Sequence, residues 1–258
     1  MKKISNFLII VLLISFSTGC KKEGSSIVTP VQMQAATNAF LKINYVSAYT
    51  ANPSVQLKVN NERVSSLIAA RTPFPGGGMN TPGAGSGSAD YLGLRPGSTD
   101  FSVSIPHRLQ EVDSILLFKT NLNLAEGKFY TLHITDTGTR TKTLLLEDEL
   151  VSPANGQTRF KFVNLMPNVP FIDLYVGTTR VATNVPYLGV SPYFEIPTSS
   201  TAPTFAIRET GTSATSTALA TYALFTPSNQ RTYTAFAVGY KGSTDAVRRP
   251  YVSFMLNR

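Results

Sequence analysis

Apolar and polar residues alternate with a period of two in several short stretches after residue 38. The segment 41–45 reads Leu-Lys-Ile-Asn-Tyr, and the segment 55–59 reads Val-Gln-Leu-Lys-Val. This period is typical of a β-strand with one buried face, and the pair Asn60-Asn61 that follows suits a tight hairpin turn. The apolar segment 214–226 is rich in Thr, which favours strand over helix. We therefore predict an all-β fold.

The second half of the chain repeats the pattern of the first half in four blocks that follow the same order. The matched blocks are 41–46 with 160–165, 55–59 with 172–176, 91–96 with 187–192, and 128–131 with 231–234. Repeats of about a hundred residues have the size of domains. We predict a tandem duplication, with a first domain over 39–152 and a second over 157–258. Short strands punctuated by Gly, Pro and Asn favour immunoglobulin-like β-sandwiches, but the pattern does not assign the strand order.

The two repeats differ most in a Gly-rich segment of the first. Residues 73–90 contain Pro-Phe-Pro-Gly-Gly-Gly and later Gly-Ala-Gly-Ser-Gly-Ser, whereas the second repeat is much shorter here. A long Gly-rich connection does not form a regular element cheaply, so we expect an exposed loop that is either disordered or functional. If the loop binds a ligand, Phe74 and Tyr91 are the aromatic residues that we expect to contact it.

The first twenty residues have a different character from the rest. Lys2 and Lys3 precede an apolar run over 4–16, and Ser17-Thr18-Gly19-Cys20 follows. The run is shorter than the about 20 residues of a membrane-spanning helix, and small residues end it, as in a secretory signal peptide. We predict that residues 1–19 are a signal peptide that is cleaved from the chain.

The segment that ends at Cys20 resembles the lipobox of bacterial lipoproteins, with Ser17 where most of these have Leu. The resemblance implies cleavage before Cys20 and acylation of its thiol with chains such as palmitate, and residues 20–38 would be a flexible tether. An ordinary signal peptide followed by an unpaired thiol is the alternative. Because no Asp follows Cys20, we expect the outer membrane, on either its periplasmic or its surface-exposed face. No second cysteine is present, so disulfides are excluded.

The formal net charge of +8 includes two lysines of the signal peptide, so the remaining chain would carry about +6. The basic residues are scattered among the predicted strands, and Arg248-Arg249 and Lys21-Lys22 are isolated pairs. A nucleic-acid partner is therefore not expected. We expect a monomer whose partners are the membrane and a glycan or an envelope protein.

Residues able to carry chemistry are few. His107 and His133 lack metal-ligand spacing, and no Gly-x-Ser-x-Gly motif is present. The acidic cluster 147–149 fits a solvated charge cluster or, less closely, a calcium site. Asp173, among strand residues, suits a hydrogen-bond acceptor, and with Glu195 it could serve a weak hydrolase. We predict no catalytic residue, no metal site and no cofactor. The tyrosines could form a sugar-stacking platform or simply fill the cores.

The block 159–176 carries a resemblance to a known family. It reads Arg-Phe-Lys-Phe-Val-Asn-Leu-Met-Pro-Asn-Val-Pro-Phe-Ile-Asp-Leu-Tyr-Val and is similar to the opening of domain-of-unknown-function family 4397. The segments 181–193 and 233–239 resemble the middle and the late strand of this family. The first repeat departs from the pattern, with Gln56 in place of the Asp. The resemblance implies bacterial secreted and lipid-anchored proteins, often with tandem domains and without established activity.

From these features we expect a non-enzymatic envelope lipoprotein that acts as a binding or spacer module for a glycan or an envelope protein. Two alternatives stay open: a weak hydrolase or enzyme subunit that uses carboxylates, and a purely structural or adhesive spacer.

Overall fold

The computed structural model describes residues 37–82, 88–107 and 114–258. The predicted signal peptide, Cys20 and nearly all of the predicted tether lie outside these residues, as does the Gly-rich stretch 83–87. The described residues belong to one compact unit. Among the described residues, no helix has the length and apolar composition needed to cross a membrane.

Ten strands come from the first half of the chain. They are β1 (Ala39–Tyr45), β2 (Gln56–Val59), β3 (Glu62–Arg63), β4 (Thr72–Phe74), β5 (Gly78–Met79), β6 (Leu92–Leu94), β7 (Gly97–Pro106), β8 (Ser114–Leu124), β9 (Phe129–Thr135) and β10 (Lys142–Glu147). One sheet has the order β10-β9-β1-β4, with β6 also on β1, and the other has the order β3-β2-β7-β8. A 3-10 turn at Gly138–Arg140 connects β9 to β10.

Eight strands come from the second half. They are β11 (Gln157–Asn164), β12 (Phe171–Val176), β13 (Thr179–Pro186), β14 (Phe194–Pro197), β15 (Phe205–Glu209), β16 (Ala220–Tyr222), β17 (Thr232–Val238) and β18 (Tyr251–Leu256). The sheets are β14-β11-β17-β18-β5 and β13-β12-β15-β16. The prediction of an all-β protein with β-sandwich domains is therefore confirmed. In the segment 214–226, only β16 is a strand.

The two halves share one strand topology. β1 and β9 pair in parallel with Leu41 opposite Tyr130, and β11 and β17 pair in parallel with Phe160 opposite Tyr233. In each half, the next strand along the chain, β10 or β18, pairs antiparallel with the second strand of this parallel pair. The other sheet of each half consists of a hairpin followed by two further strands, in the order β3-β2-β7-β8 or β13-β12-β15-β16. The duplication inferred from sequence blocks is thus repeated in the strand pairing, which also supplies the strand order.

The register corrects one of the sequence alignments. Leu92 lies opposite Leu41, and Phe194 lies opposite Phe160, so Tyr193 is the structural counterpart of Tyr91. The sequence blocks had matched Tyr91 with Tyr187 instead. The segment around Tyr187 contacts β11 nearer its end, through a bridge between Val163 and Val190. A shared Tyr-Leu-Gly motif therefore misled the alignment.

The predicted turn at Asn60-Asn61 joins β2 to β3. Both residues have positive φ, 49° and 68°, and Val59 pairs with Glu62 across them. Positive φ at both central residues is the geometry of a type I′ hairpin turn, which Asn tolerates better than most residues.

The Gly-rich segment differs from the predicted exposed loop. It contains part of β4 and all of β5, and β5 pairs with β18 of the second half. A Cβ on Gly77 would lie 2.5 Å from the carbonyl oxygen of Ser88, and a Cβ on Gly78 would lie 2.8 Å from Pro73. The glycines therefore allow the backbone to pack closely. This segment of the first half supplies an edge strand to the second.

Each half encloses its own apolar core. The core of the first half is mainly aliphatic, whereas the core of the second is centred on Phe160, whose ring lies within 6.4 Å of five other aromatic rings. A third cluster lies between the halves and contains Val46, Leu165, Phe236 and Met255. Strands β1, β11 and β17 are buried along nearly their whole length because both of their faces are covered.

Candidate functional site

The contact between the halves has a polar centre built around Asp148. The carboxylate of Asp148 accepts a hydrogen bond from Lys161 Nζ at 2.6 Å, from Thr131 Oγ1 at 2.5 Å and from the Tyr91 hydroxyl at 3.0 Å. The side chains of Asp148 and Lys161 are 1% and 4% exposed. A buried charge is tolerated only when it is paired and hydrogen-bonded, and Asp148 meets both conditions.

The polar contacts follow an approximate two-fold symmetry. Lys42 Nζ donates to the carbonyl oxygen of Leu256, and Lys161 Nζ donates to the carbonyl oxygen of Glu147 at 3.4 Å. Lys42 and Lys161 occupy equivalent positions on β1 and β11, as do Glu147 and Leu256 on β10 and β18. Each half thus uses the same surface to contact the other, which is the pattern of an isologous interface.

One substitution breaks this symmetry. Asn257 occupies the position that is equivalent to Asp148, so only the first half has a carboxylate at this position. Asn257 donates to the Tyr91 hydroxyl at 3.1 Å and accepts from Thr234 at 2.8 Å. Burial lowers the pKa of Lys42 to about 8, against the opposing charges of Asp148 and Asp90. Lys42 is therefore held less firmly in its charged form than an exposed lysine.

His133 lies in the same interface and is fully buried. Its Nδ1 lies 3.0 Å from Nδ2 of Asn44, and its ring centroid lies 6.4 Å from that of Phe236. Burial lowers the pKa of His133 to about 3, and the charge of Lys161 acts in the same direction. His133 is therefore a neutral part of the interface at physiological pH.

The acidic cluster 147–149 is only partly the solvated group that was predicted. Glu147 and Glu149 are exposed and pair with Lys128 at 2.7 Å and with Arg159 at 2.8 Å, but Asp148 is buried. Successive side chains point to opposite sides of the chain, so Asp148 points toward the other half whereas Glu147 and Glu149 point to solvent. Each of the three carboxylates faces a base. Among residues 37–82, 88–107 and 114–258, no group of three or more His, Cys, Asp or Glu could hold a metal ion.

Phe74 and Tyr91, the aromatic residues of the predicted binding loop, are not brought together in a pocket. Phe74 lies on β4 and packs against the first core. Tyr91 belongs to the Asp148 network, and Lys42 Nζ lies 4.5 Å from its ring centroid.

Asp173 and Glu195 likewise lie apart. Asp173 is buried on β12 and accepts hydrogen bonds from the Asn184 backbone at 2.7 Å and from Thr210 Oγ1 at 2.6 Å. Arg180 pairs with it at 3.2 Å. Glu195 lies on β14 of the other sheet and lines an apolar pocket of about 450 Å³ in which it is the only carboxylate. The acceptor role predicted for Asp173 agrees with these contacts.

A cleft of about 570 Å³ lies between β16, the segment before β18 and the Gly-rich segment of the first half. Its polar and aromatic lining residues are Asn80, Thr221, Tyr222, Ser243, Thr244, Arg249 and Tyr251. The cleft thus presents two phenol rings, an amide, hydroxyl groups and a guanidinium on one concave surface.

Local backbone contacts hold the walls of this cleft. Asn80 Nδ2 donates to the carbonyl oxygen of Val252 at 2.7 Å, and Ser253 Oγ donates to the carbonyl oxygen of Asn80 at 2.8 Å. Gly239 has a φ of 92°, and a Cβ there would lie 2.2 Å from the carbonyl oxygen of Arg249. Only glycine allows the segment 240–251 to fold back this closely, so the walls are formed before any ligand arrives.

Another cleft, of about 510 Å³, lies on the outer face of β2, β7 and β8. Its charged residues include Asp100 and Lys119, which pair with each other at 3.4 Å, and its aromatic residue, Phe101, is fully buried. This surface pairs its only acid with Lys119 and offers no exposed ring to a ligand. The cleft beside Tyr251 is therefore the stronger candidate for a binding site.

A family profile for a domain of unknown function, DUF4397, matches residues 41–175 and again residues 161–249. The two matches together cover most of the sequence. The chain belongs to the DUF4397 family. The tandem arrangement expected from the sequence resemblance is confirmed, and no curated protein matches the chain. Because the first DUF4397 match includes β11 and most of β12, it continues into the second sandwich.

Sequence reasoning missed the cleft of this DUF4397 protein. Its parts come from residues that are distant in the sequence, since Asn80 and Val252 are 172 positions apart. The only local signal was the pair Arg248-Arg249 shortly before Tyr251, and this pair did not stand out among the scattered basic residues.

Proposed function

We propose that this DUF4397 protein is a non-enzymatic, lipid-anchored envelope protein that binds a glycan in the cleft beside Tyr251. The observation that carries the proposal is the combination of Tyr222 and Tyr251 with hydrogen-bonding groups in one concave surface. Sugars present apolar C–H faces and polar rims, so they are suited to sites that offer aromatic rings beside amides and hydroxyls.

The lining of the cleft favours binding over hydrolysis. Glycoside hydrolysis generally uses two carboxylates on either side of the scissile bond. The lining residues of the cleft include no Asp, Glu or His. Of the two acids weighed for a hydrolase, Asp173 is saturated by hydrogen bonds and Glu195 lies in a different pocket.

Replacing Tyr222 by Ala tests the proposed site. Fragments of envelope polysaccharides are screened on an array, and the best ligand is titrated by calorimetry. We expect Tyr222→Ala to weaken binding about tenfold, which corresponds to about 1.4 kcal/mol. Tyr222→Phe keeps the aromatic ring, so it should weaken glycan binding less than Tyr222→Ala does.

The matched control is Leu224→Ala, since Leu224 is 84% exposed and lies outside the cleft lining. Absence of any glycan ligand, together with no ligand-induced rise in melting temperature, would favour the spacer alternative. Turnover of a glycan by the purified protein would favour the enzyme alternative.

Replacing Cys20 by Ala tests the proposed anchor. A lipid anchor stabilises membrane association by about 0.8 kcal/mol per buried methylene. We expect the wild-type protein in the membrane fraction of a Gram-negative host and the Cys20→Ala variant released or unprocessed. Identical fractionation of both proteins would contradict the anchor. Protease treatment of intact cells separates the periplasmic from the surface-exposed face.

A further inference from the structure

Two arginines contact Tyr251, one of the residues that line the cleft; Arg249 lines the cleft as well, whereas Arg71 is not a lining residue. The guanidinium carbon of Arg71 lies 3.5 Å from the ring centroid of Tyr251, and that of Arg249 lies 5.0 Å from it. Arg71 donates to the carbonyl oxygen of Asn80 at 3.3 Å, and Arg249 Nε donates to the Tyr251 hydroxyl at 2.8 Å. Hydrogen bonds to neutral oxygens and contacts with a ring therefore orient both cations.

Neither arginine has a carboxylate partner among the residues that the structure describes. The salt bridges of the described residues engage Arg140, Arg159 and Arg180, but not Arg71 or Arg249. Asp245 is the only acid in the segment 240–251. Its carboxylate accepts from the backbone of Val247 at 2.8 Å and of Arg248 at 3.1 Å.

Two neighbouring cations without an anion are unfavourable, and partial burial increases the cost. Burial lowers the pKa of Arg71, and the positive charge of Arg249 acts in the same direction. Guanidinium groups bind carboxylates, sulfates and phosphates through paired hydrogen bonds. An oxyanion in the cleft would complete the charge balance of this wall.

We infer that the ligand of the cleft is an acidic glycan, whose oxyanion is held by Arg249 and attracted by the nearby charge of Arg71 while its sugar ring contacts the tyrosines. The inference rests on the proposed function. It adds that a neutral glycan of the same backbone would bind more weakly than the charged form.

The test compares charged glycans with neutral glycans of the same backbone. Oligogalacturonate is titrated beside the same oligomer with its carboxyl groups reduced to alcohols, and dextran sulfate is titrated beside dextran. We expect the charged member of at least one pair to bind ten times or more tightly than its neutral member. Preference within the first pair assigns a carboxylate, and preference within the second assigns a sulfate.

Arg249→Gln is the informative variant, because Arg249 is exposed and its replacement should leave the fold intact. We expect it to weaken binding of the charged glycan about tenfold and to weaken binding of the neutral glycan by a smaller factor. Arg231→Gln changes the net charge equally on an exposed residue outside the cleft and should have no such effect. Arg71→Gln tests the contribution of the second cation beside Tyr251.

The outcomes separate this inference from the proposed function. Equal affinity for charged and neutral glycans, with loss in Tyr222→Ala, would overturn the inference and leave the proposed function standing. Equal effects of Arg249→Gln and Arg231→Gln would also overturn it, since they would indicate attraction by net charge alone. Failure of all four glycans to bind would overturn the inference, whereas the proposed function would be overturned only if the wider array also gave no ligand.

Discussion

Replacing Asp148 by Asn is expected to lower the free energy of unfolding by about 3–5 kcal/mol, the loss typical of removing one partner of a buried ion pair. The substitution removes the carboxylate that pairs with the buried ammonium group of Lys161, and one of the two carboxylates whose charges favour the ammonium form of Lys42. The chain has no Trp, so tryptophan fluorescence cannot report unfolding. Urea denaturation at pH 7, followed by far-ultraviolet circular dichroism, measures the loss of stability.

The control for this prediction is Glu147→Gln. Glu147 is 49% exposed and pairs with Lys128, which is 52% exposed, so its loss should change stability by less than about 1 kcal/mol. Combining Asp148→Asn with Lys161→Met should recover part of the stability, since one unpaired charge is then removed. A loss below 1 kcal/mol in Asp148→Asn would mean that water or another group compensates the lysines.

Acid should destabilise the fold through His133 over the range from pH 6.5 to pH 3. The pKa of His133 is about 3 in the folded protein, against an ordinary value of 6.5. The unfolded chain therefore binds a proton in this range that the folded chain does not. The free energy of unfolding falls as pH decreases, by several kcal/mol in total at about 1.4 kcal/mol per pKa unit.

His133→Leu removes this contribution, and its stability should depend less steeply on pH below 6.5 than that of the wild type. His107→Leu serves as the control, because His107 is only partly buried and lies outside the contact between the halves. Denaturation midpoints at pH 7, 5 and 4 make the comparison. Parallel pH curves for the wild type and His133→Leu would show that the buried imidazole does not control the acid response.

The strands of this protein could be predicted because a period of two records which face of a strand is buried. Strands β1 and β2 appeared where the alternation placed them, and Asn60-Asn61 formed the expected turn. Alternation does not show that the second face of β1 is also covered. Lys42 and Asn44 therefore had the pattern of exposed positions, although both are fully buried against the other half.

The candidate site could not be predicted because its residues meet only through long-range contacts. The Gly-rich segment was expected to be an exposed loop, yet β5 pairs with β18 and places Asn80 in the cleft wall. Strand pairing between distant segments depends on backbone hydrogen bonds, which any residue except Pro can donate. Nothing in the composition of Gly78 and Met79 therefore identified their partner.

The approximate two-fold symmetry of the interface has a consequence for the ancestry of the chain. An isologous surface is complementary to itself, so a single ancestral repeat could form the same contact with a second copy of itself. Gene duplication and fusion would then join two subunits that already fitted together. Once they were joined, equivalent positions no longer had to carry the same residue. Two pairs of equivalent positions now differ, namely Asp148 with Asn257 and His133 with Phe236. Each residue of these pairs contributes to only one side of the former dimer, so the two could diverge.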